Sequence, residues 1–354
     1  MVNPTDDVAT LLQAVVDTVS VSGGEAALAD DIEAALGGSA HLDVSRWGNV
    51  VVARTNLGRP SRVVIAGHLD TVPVADNLPS RWGEADGRRI LSGRGTVDMK
   101  GGLAVQLNLA AALTQPSRDI TWVFYDNEEV EAAKNGLGHL VRRRPDLVQA
   151  DMAILMEPSG GAVEAGCQGT LRADIVAHGL AAHSARAWLG HNAIHDLAGA
   201  LTLLNDYEPA AVLVDGLTYR EGLNAVGIAG GIAGNVIPDR ARLTLNYRFA
   251  PDKDLEQAAD IVRAFFAGYE VEVTDGAPGA RPGLTTTAVA SFVAAVGRPV
   301  KPKFGWTDVA RFATLGIPAV NFGPGDPNLA HTDEEYVYLD DVVACRDALH
   351  RWLT

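Results

Sequence analysis

The sequence predicts an α/β protein with a smaller α+β domain inserted into it, and three observations carry that expectation. Three short apolar runs rich in branched or aromatic residues each end in turn chemistry and acid. Residues 62–67 lead into His68-Leu69-Asp70, 120–125 into Asp126-Asn127-Glu128-Glu129, and 152–156 into Glu157-Pro158. Such runs read as buried strands. Residues 240–249 instead alternate strictly, with Ala241, Leu243, Leu245, Tyr247 and Phe249 on one side and Arg240, Arg242, Thr244, Asn246 and Arg248 on the other. That is the pattern of a half-buried antiparallel strand. Finally, the texture changes near 171 and returns near 284, and a chain of 354 residues has two domains by default. The expected division is 1–170 with 284–354 for the main domain and 171–283 for the insertion.

Along the chain, Leu11, Leu12, Val15, Val16 and Val19 mark an opening amphipathic helix, and 32–36 a second short one stopped by Gly37-Gly38. Residues 41–44 and 50–54 flank Trp47-Gly48-Asn49 as a hairpin. After the strand ending at His68, 74–92 reads as a loop or hairpin. It delivers the stretch Gly93-Arg94-Gly95-Thr96-Val97-Asp98-Met99-Lys100-Gly101-Gly102 and a helix over 103–113. Within the insertion, strands at 171–178, 221–233, 240–249 and 269–274 and helices at 192–207 and 254–266 give β-α-β-β-α-β, the ferredoxin-like order. Residues 277–283, with two prolines and two glycines, form the return linker. A helix near 285–296, a buried strand over 317–322, the turn Gly323-Pro324-Gly325 and a final helix over 340–353 follow.

The formal charge of −15 repels phosphate backbones and anionic membranes, so neither nucleic acid nor membrane is an expected partner. Cys167 and Cys345 stand far apart and form no disulfide framework or CxxC pair, which fits a reducing compartment. The first residues lack the basic start and apolar core of a signal peptide, and no run reaches the roughly 18–20 apolar residues of a membrane span. The cytoplasm is the expected location. The glycine-rich stretch is not a nucleotide cradle, because G-x-G-x-x-G would need glycine where Asp98 stands and no G-K-[ST] follows.

In open α/β sheets, ligands bind outside the carboxyl ends of the strands. His68, Asp70, Glu128, Glu129 and Glu157 all fall at such ends, and Asp98 joins them from a loop whose glycines let the backbone pass close to a site. Carboxylates gathered in one crevice cannot all stay ionised unless cations compensate them. Two divalent ions offset that charge, and imidazole with carboxylate suits zinc. His331, after the glycine turn, completes the candidate set. The remaining histidines, at 41, 139, 178, 191, 195 and 350, lie in predicted helices or strands without acidic company and read as structural or solvated.

The motifs Gly67-His68-Leu69-Asp70-Thr71-Val72-Pro73, the stretch 93–102, Glu128-Glu129, Met156-Glu157-Pro158 and the late His331 resemble those of the co-catalytic zinc amidohydrolases. That family includes aminoacylases, carboxypeptidase G-type enzymes, acetylornithine deacetylase and succinyl-diaminopimelate desuccinylase. The resemblance spans nearly the whole chain. It implies a zinc-peptidase-like catalytic domain, a mixed sheet between helices, with the insertion as a lid and dimerisation domain. It further implies two ions, zinc or alternatively cobalt, with Asp98 bridging, Glu129 and His331 on one ion, and His68 and Glu157 on the other. By the same resemblance Asp70 orients His68 through its second ring nitrogen, Glu128 is the general base, and the Asp98–Met99 peptide is a candidate cis bond.

Two metals can lower the pKa of a shared water toward roughly 7 and polarise a carbonyl, with Glu128 moving the proton to the leaving amine. The expected reaction is therefore amide hydrolysis by metal-bound hydroxide. The resemblance also makes His183, in Ala182-His183-Ser184, a stabiliser of the developing oxyanion. In dimers of the family this histidine comes from the partner subunit, so a homodimer through the lid is expected. Asn235 and Arg248 match lid contacts to substrate. The order of motifs is most like the desuccinylase members, which implies N-succinyl-LL-2,6-diaminopimelate as substrate and a place in lysine and diaminopimelate biosynthesis. Better-known desuccinylases carry Arg-Gly-Ser where this chain has Gln168-Gly169-Thr170, and Arg311 is the candidate replacement for that positive charge. The alternatives are acetylornithine deacetylase or another acyl-amino-acid hydrolase or dipeptidase, and, outside enzymes, a catalytically silent binding protein on the same fold.

Overall fold

Val63, Val64, Ile65 and Ala66 are all buried because their strand has a neighbour on each side and layers above and below. It lies inside an eight-stranded sheet of the computed structural model, which describes residues 2–354. The strands run in the spatial order Asp43–Trp47, Val50–Arg54, Asp119–Tyr125, Arg62–His68, Met152–Leu155, Ala319–Asn321, Val163–Ala165 and Val300–Pro302. Asp119–Tyr125, Arg62–His68, Met152–Leu155 and Ala319–Asn321 are mutually parallel, and antiparallel strands flank them. Parallel strands are covered on both faces, and the sequence reflects this in near-continuous apolar runs. The chain divides into two units, and this sheet belongs to the one built from residues up to Ala165 with Gly283–Lys301 and Arg311–Thr354.

The opening helix is Val8–Asp17, capped by Asp7, whose side chain accepts the amides of Ala9 and Thr10. Leu11, Leu12, Val15 and Val16 are buried as expected; Val19 is not, because the helix ends before it and leaves it exposed. The second helix is longer than expected, Ala26–Gly37. Residues 74–92 contain the hairpin Arg81–Ala85 and Arg88–Ser92, which Tyr336–Tyr338 extends to a three-stranded sheet. Helix Lys100–Ala112 is buried almost along its length and packs on the main sheet. There Gln106 donates to the carbonyls of Ile65 and Val123 at 3.0 and 2.9 Å. Helices Gly136–Arg143, Pro145–Val148 and Thr287–Val296, the last where the sequence predicts one, and the closing helix Leu339–Leu353 also belong to this unit. No helix among the described residues is long and apolar enough to cross a membrane.

The second unit comprises Gly166–Pro282 and the excursion Pro302–Ala310. Its four-stranded antiparallel sheet has the order Gly222–Gly230, Arg240–Phe249, Gly169–His178, Glu270–Ala277. With helices Ala193–Asn205 and Leu255–Phe265 this is the β-α-β-β-α-β order, interrupted by a small hairpin, Ala211–Val214 with Leu217–Arg220. Every second residue of Arg240–Phe249, from Ala241 to Phe249, is buried. These side chains pack with Leu197, Ala200, Ala258 and Val262 of the two helices into one core.

Candidate metal centre

Register brings the first ligand candidates together. Ala66 pairs with Leu155, and His68 with Tyr125. His68, Glu157 and the segment 126–129 therefore emerge from one edge of three adjacent strands, spaced about 5 Å apart. Asn127 turns the chain there with φ of +56°, a left-handed conformation that asparagine tolerates. Asp98 comes from the glycine-rich loop, and the Asp98–Met99 peptide is cis, as the resemblance implied. Gly95 has φ of +81° and a Cβ there would lie 2.6 Å from Thr71 Cγ2. At Gly102 a Cβ would collide with the Met156 carbonyl oxygen. Only glycine lets the helix start press against the residue before Glu157.

The outcome is a chain of imidazole and carboxylate groups. His68 Nε2 lies 3.1 Å from Asp98 Oδ1, while Asp98 Oδ2 lies 3.4 Å from His331 Nε2. His331 Nε2 is in turn 2.9 Å from Glu129 Oε1. Asp98 thus stands between two imidazoles, one oxygen toward each. Atoms of His68, Asp98 and Glu129 able to bind a metal all lie within 4.8 Å of one another. Glu157 is buried, and His331 is half-exposed with φ of +65°. Glu128 is half-buried beside Glu129.

Asp70 stands at the second ring nitrogen of His68 and makes further bonds besides. His68 Nδ1 meets the backbone carbonyl of Asp70 at 2.9 Å and its carboxylate at 3.5 Å, so both groups of Asp70 face that nitrogen. The carboxylate accepts the amides of Glu128 and Glu129 at 2.9 and 3.0 Å and the Ser22 hydroxyl at 2.8 Å. It fixes the backbone of the Glu128-Glu129 pair.

The electrostatics of the cluster favour positive charge among its carboxylates. Burial opposes a charged His68, but bonds to Asp70 and Asp98 and the charge of Glu157 outweigh it and raise its pKa well above the usual value. His331 is pushed up to about 10 by its bonds to Asp98 and Glu129. Burial would raise Asp98, yet the two imidazoles hold its carboxyl far below the ordinary range. Asp70 is held at about 2, burial again being outweighed by His68 and the two amides. The carboxylates thus favour positive charge between themselves and both imidazoles, and a divalent cation would satisfy the same oxygens. Nitrogen and oxygen donors in this mixture fit zinc and its neighbours.

His183, Asn235 and Arg248 belong to the second unit. There the Ser184 amide donates to the Asn235 carbonyl at 2.9 Å and His183 bridges to Val236, so His183 and Asn235 lie on adjoining loops. His183 is exposed, and its Nδ1 accepts the Ala185 amide at 3.0 Å. Arg248 is half-buried and donates Nε to Asn246 Oδ1 at 3.1 Å; burial, then neighbouring Arg172, lowers its pKa. Gln168, where desuccinylases carry arginine, is buried and donates to the Arg220 carbonyl. Arg311 packs against helix Gly136–Arg143, its Nη1 2.7 Å from where a Cβ of Gly138 would stand. Two histidines expected to lack acidic company have it: His178 lies 3.0 Å from Glu270 and His191 2.6 Å from Asp196, both as exposed pairs. Sequence reasoning missed Ser22, Arg94 and Glu335. The last sits in the acidic run Asp333-Glu334-Glu335, which reads as a solvated surface although Glu335 is buried.

A mixed sheet presenting paired acids and histidines at its carboxyl edge defines a class of metal-dependent hydrolases. Residues 64–354 match the model of peptidase family M20/M25/M40, and the chain belongs to that family. Among its relatives, a Mycobacterium tuberculosis protein named as a succinyl-diaminopimelate desuccinylase, DapE, is 54% identical over 346 residues, covering 97% of each chain. The succinyl-diaminopimelate desuccinylase of Corynebacterium glutamicum is 48% identical over 359 residues, 98% of this chain and 96% of that one. Among solved structures, a tripeptidase from Staphylococcus aureus superposes with a TM-score of 0.76 at 20% identity, covering 100% and 98% of the two chains. The Bacillus subtilis protein YXEP, described as a dinuclear metal-binding peptidase, gives 0.71 at 15% identity, covering 98% and 96%. These two likenesses bear on the fold alone.

Proposed function

We propose that this chain is a divalent-metal-dependent amidohydrolase that cleaves N-succinyl-LL-2,6-diaminopimelate to succinate and LL-2,6-diaminopimelate. The observation that carries the reaction class is Asp98 standing between His68 and His331 with Glu129 alongside. The desuccinylase names of two relatives, each aligned over nearly the whole chain, support the substrate.

In this reading Asp98 would hold both ions, Glu129 and His331 would complete one, and His68 and Glu157 the other. Zinc suits the donors, and cobalt is the alternative. When bound, such a pair polarises the scissile carbonyl and lowers the pKa of a water toward about 7. Glu128 takes the proton of the attacking water and delivers it to the departing amine nitrogen. Asp70 keeps Glu128 in place through the backbone bonds described above. His183 would donate to the carbonyl oxygen as negative charge grows on it, with Asn235 and Arg248 holding the substrate's polar groups. Buried Gln168 leaves the usual arginine position without a charge, and Arg311 is the candidate to supply it.

Two further elements of the reading rest on the second unit and on the cysteines. Strand Gly222–Gly230 is an uncharged sheet edge with Val226 and Ile228 exposed, and helix Ala193–Asn205 exposes Ile194, Leu201 and Leu203. Such an edge invites pairing with another strand, which supports a homodimer through this unit. Cys167 and Cys345 are buried free thiols, which suits the cytoplasm.

The test compares kcat/KM of the zinc-loaded enzyme for N-succinyl-LL-2,6-diaminopimelate and N-acetylornithine. A preference for the succinyl substrate of at least roughly 100-fold is expected, since an unpaired carboxylate pocket strongly penalises the analogue lacking that group. Preference for the acetyl substrate would move the chain to the deacetylases, and no hydrolysis of either would favour a silent binding protein.

A further inference from the structure

Glu335 is buried, and four donors converge on its carboxylate. Oε1 accepts the amides of Val97 and Asp98 at 2.9 and 3.1 Å. Oε2 accepts the Gly95 amide at 2.9 Å and Arg94 Nη1 at 3.1 Å. Arg94, equally buried, donates Nε to the Pro73 carbonyl at 3.0 Å and Nη1 to the Thr332 carbonyl at 2.9 Å. The Gly93 amide donates to the Glu335 carbonyl at 3.0 Å. These bonds join three stretches: the one that follows His68 and Asp70, the one that presents Asp98, and the one that begins at His331. The arginine of the glycine-rich motif, for which the reaction itself has no use, lies at their crossing.

We infer that the buried Arg94–Glu335 pair is a positioning device that holds the Asp98 and His331 loops in their metal-binding arrangement before a cation arrives, so that Glu335 sets metal affinity without being a ligand. The inference rests on the metal reading above. Its physical basis is preorganisation. The loop around Asp98 contains Gly93 and Gly95, with Gly101 and Gly102 opening the helix that follows, and glycine-rich chain loses much conformational freedom when ordered. Ordering it during folding removes that loss from the binding step. A glutamine cannot substitute. Whichever way its amide lies, its NH2 faces two donors, either Val97 and Asp98 or Gly95 and Arg94. A lysine at 94 likewise cannot span the Pro73, Thr332 and Glu335 oxygens that the guanidinium fork reaches.

The experiment is a Co2+ titration of the metal-free full-length protein, followed by the visible absorption of the bound ion. In Glu335→Gln and Arg94→Lys the midpoint should rise roughly 10–100-fold, the effect typical of groups that support a ligand. At saturating Co2+, kcat should fall by less than about threefold, because neither side chain acts on the transition state. Variants that melt earlier but titrate together with the wild type would show a merely structural pair and overturn the proposal. A second measurement needs no variant: in metal-free wild type, the amides of Val97 and Asp98 should be protected from hydrogen exchange, and free exchange there would equally overturn it. A wild type that took up no Co2+ would remove the metal reading as well, whereas unmoved variants beside a titrating wild type count against the clamp alone.

Discussion

Asp70 serves two neighbours in the cluster at once, one through its backbone and one through its side chain. Its carbonyl orients His68, and its carboxylate pins the amides of Glu128 and Glu129. Asp70→Ala should therefore weaken zinc binding by about 10–100-fold, measured by competition with a chelating dye; unchanged affinity would mean the backbone holds itself. The residue types were legible in the sequence because His68, Asp98, Glu128-Glu129, Glu157 and His331 each sit where a strand or a glycine turn delivers them. Which atom of Asp70 meets His68 was not legible, since it depends on backbone direction after the strand end. Nor was Glu335, whose burial is imposed by amides of a loop some 240 residues earlier.

At the scale of elements, the sheet and its loops set the site's shape. Gly102 allows helix Lys100–Ala112 to lie against Met156. Gly102→Ala should cost about 1–3 kcal/mol by forcing backbone apart, read as a lower urea midpoint. Asp119, at the start of its strand, accepts the Leu57 and Arg59 amides and the Thr55 hydroxyl at 2.8–3.0 Å. Burial would raise its pKa, but those bonds and Arg62 bring it below the usual value. A folded pKa below the unfolded one gives stability that is present above about pH 4 and lost as pH falls through the folded value. Asp119→Asn should accordingly lose less stability than wild type between pH 5 and pH 3 in urea titrations. Long apolar runs and strict alternation made the principal strands legible. Helix Gly136–Arg143 was hidden by two glycines and its terminal arginines, and Val163–Ala165 is too short to carry a period. The excursion Pro302–Ala310 has no local signal, because its membership of the second unit is decided by tertiary packing.

For the whole molecule, the acidic charge of −15 sits beside a conspicuously uncharged sheet edge at Gly222–Gly230. A charge placed there should block strand pairing. The proposed homodimer predicts a dimeric wild type in sedimentation and a monomer for Val226→Lys combined with Ile228→Lys; a variant that stayed dimeric would point to another face, and a monomeric wild type would contradict the dimer. The central claim, that five side chains hold two ions while Glu128 moves the proton, is tested most directly by one experiment on Glu128→Gln. Its metal content and its kcat on N-succinyl-LL-2,6-diaminopimelate would be measured on the same sample. Two ions per chain with kcat reduced by about 100-fold or more is the expected result, because an amide cannot carry the proton. Wild-type turnover in a fully metallated variant, or a wild-type chain that binds no metal, would contradict it.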